Sequence, residues 1–311
     1  MLLAVAVPIL LAAFSAPLAR LVVAHVSPRS ALRTLLVTTV TFASMTVAAL
    51  LLLAWSLIAR TNIVAAQGPW RPGDVSAATR VPALVGWLAV AEIAALMIRV
   101  SRTIRSIVRD RRTLCDLHRA MPPTPGPLVV VGDVVPAAYA LPAIHRHHAK
   151  IVATTGLQTL LNPAEHEAVL AHEAAHLSYH HRWIATVAQM CTAFNPLLRS
   201  IEHRLTMLIE TCADSAAAQQ VGASITARAI AITAIAHLDN PPAVRTAGFA
   251  ISGSGPVASR VTTLLNPPIY RRWIAMTACV LSLSAVVSIT YASRTTERTF
   301  EQLTATSQTH P

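Results

Sequence analysis

Four histidines and one glutamate stand within AHEAAHLSYHH, residues 171 to 181, of a chain that is otherwise poor in charge. In HEAAH the histidines are four residues apart, so on a helix His172 and His176 project from one side and can close on a single ion. Glu173 follows the first of them, beside such an ion rather than on it, where it can take a proton from a bound water. With 13 histidines and 8 glutamates among 311 residues, random shuffling gives roughly 0.01 occurrences of this spacing. The pattern therefore points to a metal site for water activation rather than to a solvated polar face.

Three protein ligands plus water make a catalytic metal site, so a third ligand is needed. The metzincin arrangement is excluded, because Arg182 stands where its third histidine would be and Tyr179 where its glycine would be. His180 and His181 read as the end of the helix, where partial positive charge suits the dipole. A better candidate lies downstream, in RLTMLIETCADSAAAQQ. A helical pattern over 199–221 puts Glu210 and Asp214 on one face, one turn apart, which suits a glutamate ligand with a carboxylate nearby to hold a ligating imidazole. Glu202 competes for the ligand role on the same helix but has no acidic partner four residues on.

The elements that must position these groups are legible in outline. Asn162 is a good N-cap, Pro163 fits the first helical position and Glu165 falls where its side chain can reach back to the cap, so the helix PAEHEAVLAHEAAHLSYHH starts there. Before it, PLVVVGD, AAYAL and KIVATTG read as a small sheet, with Lys150 to Thr155 as an edge against which an extended peptide could align. HRHH at 145 to 148 reads as a solvated turn, and MPPTPGP at 121 to 127 as a domain boundary.

The rest of the chain belongs to a membrane. Apolar residues make up 54% and mean hydropathy is +0.53, which is high for a soluble protein of this length. Residues 1–19, 34–59, 81–98 and 273–293 are long and apolar enough to cross a bilayer, with Glu92 the one charge inside the third. The first stretch lacks a basic leader, and Ala16 is followed by Pro17, so it reads as an uncleaved span rather than a signal peptide. WIATVAQMCTAFNPLL, 183–198, reads as a helix packed in the domain or lying at the membrane surface, since a crossing there would put His176 and Glu210 on opposite sides.

The net charge of +11 comes almost wholly from arginine, Lys150 being the one lysine. Few aromatics and no recognisable nucleic-acid module argue against direct nucleic-acid binding. Much of the charge is topological: Arg20, Arg29 and Arg33 flank the first loop, and Arg99 to Arg112 crowd the exit of the third span. The expected fold is a mainly α integral membrane protein with a zincin-like α+β metallopeptidase domain and a small β-sheet. Residues 1–112 hold three spans and a basic juxtamembrane segment, 113–271 a cytoplasmic metallopeptidase domain, 272–293 a fourth span and 294–311 a short external tail. Four cysteines without CxxC spacing read as free thiols in a reducing compartment.

HEAAH followed by ETCAD resembles the gluzincin membrane peptidases with an HExxH plus ExxxD pattern, among them HtpX and the CAAX prenyl endopeptidases. TTGLQTLLNPAEHEAVLAHEAAHLSYHH and SRVTTLLNPP, with three spans before and one after, are closer still to the BlaR/MecR antirepressor peptidases. The resemblance implies that His172, His176 and Glu210 bind Zn2+, that Glu173 is the general base and acid, and that Asp214 supports a ligand. It implies a zinc endopeptidase of the inner cell membrane whose substrate is a cytoplasmic regulator such as a BlaI-like winged-helix repressor. The sensor members carry a penicillin-binding domain after the last span; this sequence ends at Pro311 without one, so no beta-lactam sensing of that kind is expected. Two alternatives stay open: an HtpX-like quality-control protease, and a non-catalytic membrane scaffold or receptor that keeps zinc for structure. The intact Glu173 argues against the latter.

Overall fold

A computed structural model describes residues 2–65, 70, 72–79, 81–122, 124, 126–144, 147–239 and 257–309. His145 and Arg146 of HRHH, and Arg71 and Arg80 of the loop after the second apolar stretch, lie outside them. The chain is mainly helical, with one small sheet. The helices are α1 (Leu2–Ala13), α2 (Ser15–His25), α3 (Pro28–Ile58), α4 (Asn62–Ala65), α5 (Pro72–Thr79), α6 (Ala83–Ala120), α7 (Thr155–Leu160), α8 (Pro163–Ser178), α9 (His181–Phe194), α10 (Arg199–Val221), α11 (Ala223–Asp239), α12 (Val257–Leu265) and α13 (Arg272–Thr309).

Three helices among the described residues are long and apolar enough to cross a bilayer, within α3, α6 and α13, and they identify a membrane protein. The first apolar stretch differs from the expected single rod: α1 and α2 meet at 54° around Phe14. Pro17 accounts for the break, since it has no N–H for the ladder and fits only the first turn of a new helix. The bent pair still runs beside α3, with Val5 in a buried cluster with Ala49, Leu50 and Ile289 and Val22 in one with Leu32 and Leu35.

Two helices run on past the boundaries expected from the sequence. The third span and the basic segment are one continuous helix, α6, which stops at Met121 because Pro122 disfavours helical backbone before it. Residues 294–309, within the stretch expected as a short external tail, continue α13 as helix, and Phe300 packs edge-on against Trp70 with centroids 5.2 Å apart.

The sheet has the order β1 (Leu128–Val131), β3 (Lys150–Thr154), β2 (Ala138–Leu141). β3 pairs parallel with β1 and antiparallel with β2, so it is the central strand and not the expected edge. β2 is the edge that packs on α8. The turn after β3 needs its glycine: a Cβ at Gly156 would sit 2.2 Å from the Val134 carbonyl oxygen, and the Gly156 N–H donates to Asp133 O. α8 begins with the full capping box, Glu165 N–H on Asn162 Oδ1 and Asn162 N–H on Glu165 Oε2.

Within residues 183–198, α9 is not among the helices long and apolar enough to cross a bilayer. α9 packs against α3 and α6, the chain reverses through Asn195–Leu198, and α10 returns along α2 and α3 to lie across α8. The reversal sits deep among the apolar helices, opposite Thr46, which is about 27 Å along α3 from Pro28. Backbone polar groups exposed by a turn at such a depth need internal partners. They have them: Asn195 Oδ1 accepts from Leu197 N–H, Asn195 Nδ2 donates to Thr46 Oγ1 at 2.9 Å, Ser15 Oγ donates to Leu197 O, and Arg99 Nε donates to Ala193 O. The four cysteines are free thiols. Replacing Asn195 by leucine should lower stability by about 1–3 kcal/mol by stranding these groups. Thermal unfolding in detergent checks it, and an unchanged midpoint would mean that the turn is held by other contacts.

Candidate metal centre

The crossing of α8 and α10 brings together residues 34 and more apart in sequence. His172 Nε2 and His176 Nε2 lie 3.0 Å apart, His172 Nε2 is 3.6 Å from Glu210 Oε2, and His176 Nε2 is 3.7 Å from Glu210 Oε1. Donors bound tetrahedrally to one zinc at usual bond lengths are about 3.3–3.4 Å from one another, so small adjustments seat an ion. Among the described residues this trio is the one metal-compatible group. Glu202, two turns earlier on α10, is not part of it.

The chemistry of the donors supports the fit. Glu210 is fully buried, and neither carboxylate oxygen has a hydrogen-bond partner. Its nearest cationic side chain is Arg260, whose Nη1 is 3.5 Å away. A buried carboxylate without donors is costly unless a cation faces it, and the two imidazole nitrogens stand within 3.7 Å of it.

Asp214 is placed one turn further along α10. Its Oδ1 accepts from His172 Nδ1 at 2.9 Å, leaving Nε2 of that ring turned to the ion locus. Arg260 of α12 donates to Asp214 through Nε at 2.7 Å and Nη2 at 2.6 Å, a two-pronged, charge-assisted clamp. Burial pushes the Asp214 carboxyl up, but Arg260 and then His172 outweigh it and hold it below the usual range.

Glu173 is also buried, on the face of α8 next to β2. Burial, with the charge of Glu210, lifts it to about 7 against the lowering pull of His172, the Ala140 backbone N–H and Arg260. For His172, burial alone lowers the pKa, yet its bond to Asp214 and the nearby negative charge of Glu210 raise it to about 10; His176 falls to about 3 through burial and the neighbouring His172 charge. In the metal-free protein a proton on His172 thus stands where a cation would balance Glu210 and Asp214.

Beside Glu173 opens a cavity of about 410 Å³ between β2, α8, α11 and α12. Its walls are small and apolar, with Ala138, Val169, Ala229 and Ile230 among them, and His172, Glu173 and Arg260 supply the polar part. A mostly apolar cleft with a few convergent polar groups is the form of a peptide or small-ligand site.

Two residues of this centre escaped the sequence reading. Arg260 lies in SRVTTLLNPP, 46 residues after Asp214, and only the resemblance of that segment could have flagged it. The sequence places His181 with His180 at the helix end; in the structure α8 stops at Ser178, His180 takes left-handed backbone, and His181 opens α9, buried against His176. Other candidates fall away from the centre. His147 stacks on His118, which bonds Pro142 O, and Glu92 is tied to Arg99 at 2.6 Å.

Fold and site together define a membrane protein with one candidate metal centre among the described residues. The comparison with known families agrees: residues 101–311 match the model of peptidase family M48, more than half of the chain, and the protein belongs to that family of metallopeptidases. No curated protein and no solved structure matches it.

Two outcomes follow from this geometry. Asp214→Asn should weaken metal affinity by about 10–100-fold, measured by chelator competition, because the ring of His172 loses its charged support. The raised His172 favours the folded state fully below about 6.5, its unfolded value, and that contribution is lost as pH rises through about 10. Thermal midpoints of the chelator-treated protein should therefore fall from pH 7 to 10 more steeply than those of the His172→Gln protein; parallel curves would contradict the assignment.

Proposed function

We propose that the protein is a zinc-dependent endopeptidase of gluzincin type, with His172, His176 and Glu210 as metal ligands, Glu173 as general base and acid, and Asp214 supporting His172. The observation that carries this reading is the convergence of two imidazoles on a buried carboxylate that no hydrogen bond satisfies, with Glu173 alongside. A bound zinc supplies a Lewis acid that acidifies water and polarises a carbonyl.

The chain's own residues do the rest. Glu173, buried beside the ion locus and lifted to about 7 in the metal-free protein, would accept the proton of the attacking water and return it to the leaving amine. Arg260 keeps Asp214 ionised and so keeps His172 oriented. An extended peptide would align along the outer edge of β2, beside which no further strand lies among the described residues and which borders the cavity next to Glu173, rather than along β3.

We read the arginines of α6 and the α2–α3 elbow as marking the inner face, which puts residues 113–271 in the cytoplasm of a multi-pass inner-membrane protein and 294–311 outside. The substrate reading we favour is a cytoplasmic regulator, a winged-helix repressor like BlaI, which rests on the resemblance of 127–272 to the BlaR/MecR peptidases. One observation favours the HtpX-like alternative: the α9–α10 hairpin carrying Glu210 packs among the membrane helices, which suits a substrate delivered from the bilayer.

Glu173→Gln should keep zinc and lower cleavage by at least about 100-fold, the contribution of a positioned proton carrier. Fragment proteomics of cells expressing wild type or Glu173→Gln reads the substrate class: a soluble repressor fragment seen only with wild type supports the first reading, membrane-protein fragments the second, and an active Glu173→Gln protein refutes the role given to Glu173.

A further inference from the structure

On the far side of His176 from the ion locus lies a second imidazole. His181 is 2% exposed, and its Nδ1 is 3.0 Å from Nδ1 of His176, with the rings nearly perpendicular at 81°. The other nitrogen of His176, Nε2, faces His172 and Glu210. The chain reaches this position through His180, whose φ of 52° makes it the one non-glycine residue with positive φ among the described residues. Such backbone is strained for a side-chain-bearing residue and persists where its surroundings over-determine it. Here it swings His181 back under the end of α8.

The protons then follow. A ligating nitrogen must be bare, so with Nε2 of His176 on a cation its proton sits on Nδ1 and is donated to Nδ1 of His181. His181 is an acceptor there and keeps its own proton on Nε2, an atom buried without a hydrogen-bond partner. Buried polar groups left unpaired are rare and are kept where something else requires the side chain.

We propose that His181 is a positioning residue that fixes the tautomer and ring plane of the metal ligand His176, as Asp214 does for His172; this rests on the zinc-peptidase reading above. The two ligands are thus held by unlike partners, one by a carboxylate and one by a neutral ring. His181 is in turn tied to the membrane helices. The Tyr179 ring lies against it, centroids 5.6 Å apart, and Arg29, at the elbow between α2 and α3, donates to the Tyr179 hydroxyl with its guanidinium 4.7 Å over that ring.

The test is zinc affinity of the full-length chain in detergent, by competition with a chelator, for two variants. His181→Leu fills similar space without an acceptor; His181→Asn puts an oxygen near the place of Nδ1. Affinity should fall about 10–100-fold in the leucine variant at unchanged helix content, and stay within about threefold of wild type in the asparagine variant. Wild-type affinity in His181→Leu, or a loss in His181→Asn as large as in His181→Leu, would overturn the proposal. Should the leucine variant fail to fold, the asparagine variant decides alone, a tenfold loss counting against it. A wild-type chain that binds no zinc would overturn the peptidase reading as well, whereas the other outcomes touch only His181.

Discussion

The Glu210 carboxylate governs this structure. It is buried completely at the crossing of two helices, and no hydrogen bond satisfies either oxygen. Around it the side-chain charge does not balance: Glu210 and Asp214 are two carboxylates against the single guanidinium of Arg260. Glu173 avoids adding a third charge by holding its proton up to about 7. What remains is one excess negative charge with two imidazole nitrogens turned into it, which a proton on His172 cancels in the metal-free protein and a divalent cation would cancel in its place.

The membrane helices build the frame for that charge. α10 carries Glu210 and Asp214, and its opposite face, through Ile201, Leu205, Leu208 and Ile209, lies in the same buried cluster as Leu32, Leu35 and Phe42 of α3. The hairpin can dip among apolar helices because Asn195 and its neighbours satisfy the turn inside the protein. Its rising arm then delivers Glu210 to α8 from the bundle side, while β2 and α11 close the other side around the cavity. Anchoring and site geometry are therefore one packing problem: a shift of α10 against α3 moves Glu210 relative to His172 and His176.

Much of this was legible in the sequence, for local reasons. HEAAH, the Asn162 capping box and the Glu210/Asp214 spacing are all set within one or two helical turns, where residue order dictates geometry. The argument that 183–198 turns back was also available, because two residues expected on one ion must share a side. What could not be read depends on distant contacts. Arg260 reaches Asp214 from another helix with no periodic signal between them, and His181 acts through a left-handed His180 that no propensity favours. β3 became the central strand because β1 pairs with it across a long crossover, and edge or centre is a property of the sheet rather than of the strand's own composition. The bend at Phe14 was marked by Pro17 but outweighed by the continuous hydropathy around it.

The central claim is that one cation joins α8 to α10. Crystals of the full-length chain grown with zinc and measured at the zinc absorption edge test it directly. The account expects one strong anomalous peak about 2.0–2.2 Å from Nε2 of His172, Nε2 of His176 and a carboxylate oxygen of Glu210. A peak held by other side chains, or Glu210 turned away from a zinc on the two histidines, would contradict it.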